Sequence, residues 1–378
     1  MSVKIPNLLF IFGTRPEAIK LAPLIKEFAG RKGFVTKICV TAQHREMLDQ
    51  VLEFFELAPE YDLNIMKRGQ SLFDVTVDGL RALEKVFDEA NPDLVFVQGD
   101  TTTSFIGALA AYYKKIPVAH IEAGLRSGNK YSPFPEEMNR VLASHLSDYH
   151  FTPTRRSVGN LEKENIRNHL YKVGNTVIDA LFLGLDLIRN KGEEAYQNHF
   201  PMIRDDRKIV LVTGHRRESF GGPFEDICNA IRIVAEEYPE VDFIYPVHLN
   251  PNVQEPVMRL LKGLKNVHLI APLDYPYFIW LMSKSYIVLT DSGGLQEEAP
   301  SLGKPVLVMR QLTERQEGVD AGTAKLVGSD RDKIITELKT LLDDKSAYES
   351  MAKAVNPYGD GTTSKQIADI VESIFRKK

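Results

Sequence analysis

Short apolar runs alternate with stretches of helical spacing along nearly the whole chain, and this alternation limits the fold more than any other feature. Runs at 8–12, 36–41, 94–98, 118–121 and 149–152 read as buried strands. Helical patterns at 17–28, 45–55, 72–90 and 104–113 lie between them. In the last, Phe105, Leu109 and the pair Tyr112 and Tyr113 recur on one face. The second half repeats the scheme, with strands expected at 209–213, 243–247, 267–270, 287–290 and 306–309. Its helices are expected at 224–237, 277–282, 295–302 and 331–342. Such alternation predicts parallel sheets with helices on both faces. The expected fold is α/β, with two Rossmann-like, doubly wound parallel-sheet domains. A ligand would sit in the cleft between them, at the carboxyl ends of the strands.

The charged stretch 189–207, with Lys191-Gly192 near its start, is the expected linker. It divides a first domain, 1–190, from a second, 191–361. Turn chemistry at Asn356-Pro-Tyr-Gly-Asp-Gly361 precedes a final helix at 364–375.

Composition narrows the function classes. The chain has 378 residues and a formal net charge of −4, which gives no support for nucleic-acid or anionic-membrane binding. No stretch approaches the ~20 apolar residues of a membrane span, and the run at 8–12 is too short for a signal peptide. A cytoplasmic protein is expected. The two cysteines, Cys39 and Cys228, show neither disulfide-scaffold nor zinc-finger spacing.

The residues that can carry chemistry fall where strands end. After the first strand comes Gly13-Thr-Arg-Pro-Glu-Ala-Ile-Lys20. Arg15 and Lys20 either flank an anion site at a helix start or are solvated charges beside a capped helix. Asp100 follows the strand at 94–98 and is either a helix N-cap or a functional acid. Glu122 follows the strand at 118–121. A buried acid there needs a partner, supplied by Arg126 or by a ligand. Glu136 and Glu137 follow a Pro-rich loop and suit the start of a helix. Together Asp100, Glu122 and Glu136 line one edge of one sheet, a pattern suited to moving protons on two faces of a substrate. His120 and Glu122 are possible metal ligands, but no further spacing completes a site, so no metal is expected.

In the second half, Gly214-His-Arg-Arg-Glu218 is either a solvated basic turn or a site where His215 and its arginines meet phosphate. Asp291-Ser-Gly-Gly-Leu-Gln-Glu-Glu298 follows a strand and opens a helix. Ser292, Gly293 and Gly294 can offer backbone N–H groups to a diphosphate. Glu298 can accept from ribose hydroxyls, and Arg315 can reach the same phosphates. Tyr277, Phe278 and Trp280 suit a core more than a stacked base, and Phe278 is the one of the three to watch for a base. The residues thus suggest a cleft enzyme whose second half holds a nucleoside diphosphate and whose first half offers carboxylates to its cargo.

Taken in order, these motifs, with Thr41-Ala-Gln-His-Arg-Glu46 and Pro135-Glu-Glu137, resemble the bacterial non-hydrolysing UDP-N-acetylglucosamine 2-epimerases over essentially the whole chain. The resemblance implies a GT-B fold, with the helix at 362–378 crossing back to complete the first domain. It implies interconversion of UDP-GlcNAc and UDP-ManNAc, with ManNAc units supplied to surface polysaccharide. It makes Asp100, Glu122 and Glu136 the acid–base set, with His215 assisting the leaving group. Arg15, Lys20, Phe278, Ser292, Gly293, Gly294, Glu298 and Arg315 would bind UDP. Gln43, Arg68 and His248 match positions that bind a second, activating UDP-GlcNAc. Glu46 and Leu273 depart from some family members, which have Gln at each. No cofactor and a homodimer are implied. The alternatives are a hydrolysing 2-epimerase, a GT-B glycosyltransferase and a nucleotide-sugar sensor without turnover.

Overall fold

The structure is a computed structural model and describes residues 5–41, 45–65 and 69–376. The chain forms two compact units. Unit 1 is Met1–Leu183 with Tyr358–Lys378, and unit 2 is Gly184–Pro357.

Unit 1 holds a seven-stranded sheet of β1 (Asn7–Phe12), β2 (Val35–Val40), β3 (Tyr61–Asp62), β4 (Leu94–Gln98), β5 (Val118–Ile121), β6 (Tyr149–Thr152) and β7 (Leu170–Lys172). Its order is β3-β2-β1-β4-β5-β6-β7, and every pairing is parallel. Leu8 to Phe12 are completely buried, as expected of a strand with helices on both faces. Phe10 stacks on Phe96 at 4.4 Å, and Phe28 closes the cluster. The chain lays strands to one side of β1 and then restarts on the other side at β4. The carboxyl ends of β1 and β4 therefore flank a topological switch point, where α/β folds form a crevice.

Unit 2 holds β8 (Lys208–Thr213), β9 (Val241–Pro246), β10 (Val267–Ile270), β11 (Ile287–Thr290), β12 (Val306–Val308) and β13 (Ala324–Leu326). They form a six-stranded parallel sheet, β10-β9-β8-β11-β12-β13, with its switch point between β8 and β11.

The division between the units falls inside one helix, Thr176–Lys191. Residues 189–207 carry the end of that helix and a second one, Glu194–His199. They are packed rather than loose: Phe200 is buried and stacks on Trp280 at 5.5 Å, and Trp280 donates to Glu193 at 3.0 Å. The last helix, Thr363–Arg376, buries Ile367, Ala368 and Val371 in unit 1. Arg31 fixes it through Asp369 (2.6 Å) and Glu372 (2.9 Å). Among the described residues no helix is long and apolar enough to cross a membrane.

Candidate functional site

Glu17 organises the unit 1 switch point. Gly13 leaves β1 so close to its neighbours that a Cβ there would lie 2.0 Å from Thr41 Oγ1 and 2.7 Å from Thr103 Oγ1. The helix Arg15–Ala29 then starts with Pro16 in its first turn. The Glu17 carboxylate accepts from the Gly13 and Thr14 N–H groups (3.1 and 2.8 Å) and from the Thr14 hydroxyl (2.7 Å). Its other oxygen accepts from the hydroxyls of Thr101 (2.7 Å) and Ser104 (3.1 Å) at the start of the helix Thr102–Tyr113. One buried side chain thus ties the loop carrying Arg15 to the loop carrying Asp100. Burial pushes its pKa up, against the pull of those hydrogen bonds. The sequence reading gave Glu17 no role. Its signal was a Glu three residues after Thr14, a capping box.

Asp100 is not the cap of the helix that follows it. Thr101 takes that role, accepting from Ser104 N–H at 3.1 Å. The Asp100 carboxylate is held by Arg140, and its backbone carbonyl by Asn139 at 3.0 Å. Both partners come from the helix Glu136–Leu146. Glu136 lies one turn before Arg140 on that helix, so the two share a face. Its Oε2 is buried with no hydrogen-bond partner among the described residues. Glu137 instead does structural work, accepting from Ser127 and Gly128 N–H at about 3 Å.

Glu122 is buried in left-handed backbone, φ +62°. Such a conformation is costly for a non-glycine residue and is a mark of functional constraint. The expected partnership with Arg126 is not made. Arg126 forms a bidentate pair with Glu164 (2.7 and 2.8 Å), because the chain turns away after Glu122. Lys20 Nζ reaches Glu122 Oε2 at 2.5 Å, Gln98 Nε2 also donates to that oxygen, and Asn175 Nδ2 donates to Oε1 at 3.3 Å. Lys20 is therefore engaged with an acid, while Arg15 has no hydrogen-bond or ion-pair partner among the described residues. His120, fully buried, meets the Gly99 carbonyl through Nε2 at 2.7 Å. Burial holds its pKa down to about 3, so it is a neutral structural imidazole.

In unit 2, Asp291 follows β11 at the switch point and accepts from the N–H groups of His215 (2.6 Å) and Arg216 (2.8 Å), which follow β8. The His215 Nδ1 lies 3.2 Å from Asp291 Oδ1, an ion-pair distance without full hydrogen-bond alignment. Burial raises the Asp291 pKa, but the His215 ring and the two N–H groups outweigh it and hold the carboxyl below its ordinary range. The sequence reading missed Asp291, although it directly precedes Ser292. His215 is half exposed and stacks on His248, ring centroids 5.4 Å apart.

Ser292 N–H donates to Thr290 Oγ1 at 2.9 Å. The Arg315 guanidinium packs over Gly293, where a Cβ would lie 3.1 Å from Cζ, and pairs with Glu297 at 2.8 Å. Glu298 is buried, with Oε2 3.5 Å from the Cβ position of Gly294. The expected helix at 295–302 is one short turn, Leu295–Glu298, followed by a 3-10 turn. Tyr277 and Trp280 pack against Tyr196 and Phe200, whereas Phe278 on the same helix is only half buried. Gln43 and Arg68 lie outside the described residues. No group of three or more His, Cys, Asp or Glu side chains among the described residues is placed to hold a metal ion.

Two parallel-sheet Rossmann-like units, each with its polar residues at the switch point, define an α/β protein of GT-B type. The family is settled by comparison: residues 26–372 match the model of the UDP-N-acetylglucosamine 2-epimerases, and the chain belongs to that family. It is 52% identical to the UDP-N-acetylglucosamine 2-epimerase of Escherichia coli K12, over 97% of this chain and 98% of that one. The Neisseria meningitidis UDP-GlcNAc 2-epimerase, solved bound to UDP-GlcNAc, is 51% identical over 97% and 100% of the two chains, with a TM-score of 0.88. A Listeria monocytogenes protein of known structure is 43% identical over 100% and 98% of the two chains, with a TM-score of 0.92.

Proposed function

We propose that the chain is a non-hydrolysing UDP-N-acetylglucosamine 2-epimerase. The observation that carries this reading is a set of three carboxylates beyond the carboxyl ends of β4 and β5, none of which is the N-cap of a helix. Asp100 leaves the cap to Thr101, Glu122 is held in left-handed backbone, and Glu136 keeps a buried oxygen without a partner among the described residues.

The chemistry follows from the substrate. C2 of the sugar bears an acetamido group but no neighbouring carbonyl, so its proton is very weakly acidic. Departure of UDP from C1 acidifies it. One carboxylate takes the C2 proton, the C1–C2 double bond of a 2-acetamidoglucal forms, and the C1–O electrons leave with UDP. In the return step a proton is delivered to the opposite face of C2, and the UDP oxygen adds back to C1. Arg15, Arg315, the Ser292 hydroxyl and the backbone of Gly293 and Gly294 would stabilise the departing diphosphate. His215, oriented by Asp291, would serve its leaving oxygen. Lys20 would assist from its seat on Glu122, Glu298 would hold the ribose and Phe278 the uracil. The route needs no redox cofactor. Loss of the glucal must be prevented, which favours a closing motion during turnover.

The same proposal includes a homodimer, since Phe73, Tyr112 and Tyr113 are all more than half exposed on two helices of unit 1. It includes activation by a second UDP-GlcNAc through Gln43, Arg68 and His248. It also places the enzyme in the cytoplasm, with a ManNAc transfer into surface polysaccharide consuming the product.

Proton NMR of the protein with UDP-GlcNAc in D2O tests the reading. The expected result is growth of UDP-ManNAc, with deuterium at C2 in product and recovered substrate. Free N-acetylmannosamine with UDP would replace it with the hydrolysing reaction. Unchanged substrate would overturn it.

A further inference from the structure

We infer that Asn175 is a positioning residue for the Glu122 carboxylate, anchored at the point where the chain re-enters unit 1 from unit 2. The inference rests on the epimerase reading above. Asn175 sits between β7 and the helix Thr176–Lys191 and is 2% exposed. Its backbone N–H donates to the Tyr358 carbonyl at 2.6 Å. Its Oδ1 accepts from the Val177 N–H at 3.1 Å, which caps the helix. A backbone N–H can only donate, so the amide orientation is forced: oxygen toward Val177 and Nδ2 toward Glu122 Oε1, at 3.3 Å. The side chain therefore has no freedom to follow Glu122, and Glu122 must conform to it.

The anchor is itself tightly built. Gly174 has φ +97° and Gly359 φ +132°, conformations that favour glycine. A Cβ on Gly174 would lie 2.7 Å from Thr363 Oγ1 and 3.0 Å from the Tyr358 carbonyl oxygen. Thr363 closes the corner by donating to the Val173 carbonyl at 3.0 Å. Tyr358 is the first residue of the returning segment. Lys20 and Gln98 hold the Oε2 side of Glu122, and Asn175 holds the Oε1 side. A carboxylate that must move a proton on one defined face of a sugar carbon needs its plane fixed to within a fraction of an ångström. Asn175 supplies one of the two edges that fix it, and does so from a corner built on the crossover.

Asn175→Ser separates positioning from capping. Serine caps a helix as well as asparagine does but is too short to reach Glu122. We expect kcat to fall by about tenfold or more, with KM for UDP-GlcNAc and the Kd of UDP held within about threefold. Incorporation of solvent deuterium at C2 should fall in step with kcat. Thr363→Val removes one hydrogen bond of the corner but leaves Asn175 its own bonds to the Tyr358 carbonyl and the Val177 N–H, and should leave kcat within about twofold. If Asn175→Ser does not fold, Asn175→Thr carries the same test, since its hydroxyl keeps the cap while falling short of Glu122. An unchanged kcat in the folded variant overturns the inference, as does an equal loss in Thr363→Val. Wild-type protein without turnover defeats the epimerase reading, and the inference with it. Turnover by the wild type with an unaltered variant defeats the inference alone.

Discussion

His120 offers a stringent test of the unit 1 architecture through pH. The ring lies on β5, completely buried, with Nε2 against the Gly99 carbonyl that precedes Asp100. Burial holds its pKa down to about 3 from an ordinary 6.5. An unfolded chain releases that restraint. Below pH 6.5 the unfolded state therefore binds a proton that the folded state refuses. The stability contributed by neutral His120 is complete above pH 6.5 and is lost as pH falls toward 3. The slope is about 1.4 kcal/mol per pH unit, so the loss between pH 8 and pH 5 is about 2 kcal/mol. His120→Gln retains an amide donor for the Gly99 carbonyl and removes the titration. The stability gap between wild type and variant should change by about 2 kcal/mol over that range, in the variant's favour at low pH. His150, also buried with a lowered pKa, titrates in both proteins and cancels. The assay must follow unit 1 itself. The single tryptophan, Trp280, lies in unit 2 and serves as an internal control, while hydrogen exchange of the β4 and β5 amides reports unit 1. Parallel pH curves for the two proteins would refute the argument.

Glu17→Ala leaves the Gly13 and Thr14 N–H groups and the Thr101 hydroxyl without their acceptor. Denaturant titration of unit 1 should show a loss of about 3–5 kcal/mol. Glu17 also has a raised pKa, so its titration favours the fold below pH 4.5 and disfavours it as pH rises through the folded value; Glu17→Gln should flatten that part of the stability profile. Gly13→Ala drives a Cβ into Thr41 and Thr103, and calorimetry should register about 1–3 kcal/mol of destabilisation. Asp291→Asn removes the charge opposite His215 while keeping an acceptor for the two N–H groups. Steady-state kinetics should show kcat about 10–100-fold lower, by analogy with residues that orient another functional group. Full activity would separate Asp291 from the chemistry.

The central strands are legible because a strand buried on both faces keeps few polar positions, such as His120 in β5 and His150 in β6, to interrupt it. The expected runs at 94–98, 118–121 and 149–152 coincide with β4, β5 and β6. Strands β3, β7 and β13 escape the same reading. They lie at the sheet edges, are two or three residues long and include Asp62, Lys172 and Lys325. The helix Thr176–Lys191 escapes it for the opposite reason: Val177, Ile178, Ala180, Leu181, Leu185 and Ile188 are all buried, so little polar contrast marks its period. The helix Pro251–Leu261 carries Pro256 within it, a residue that signals a break.

The site follows the same logic. A carboxylate directly after an apolar strand stands out, which makes Asp100 and Glu122 visible. Their partners are not local. Lys20 is 102 residues from Glu122 and Arg140 is 40 from Asp100. Only the juxtaposition of strand ends brings them together, and proximity in the chain pointed instead to Arg126. Asn175 and Gln98 are invisible for a related reason, since a lone amide announces nothing until the fold fixes what its two ends face.

The placement of Thr363–Arg376 within unit 1 sets an order of events for the nascent polypeptide. Translation produces most of unit 1, then all of unit 2, and only then this helix. Until it emerges, Arg31 lacks Asp369 and Glu372, Phe34 lacks the ring of Phe375, and Asp179 lacks the Ser364 N–H it accepts at 2.6 Å. Every strand of unit 2 is available before that moment. The half that is made first is therefore the half that is finished last, and a ribosome stalled within unit 2 would present an N-terminal sheet whose outer seat is still empty.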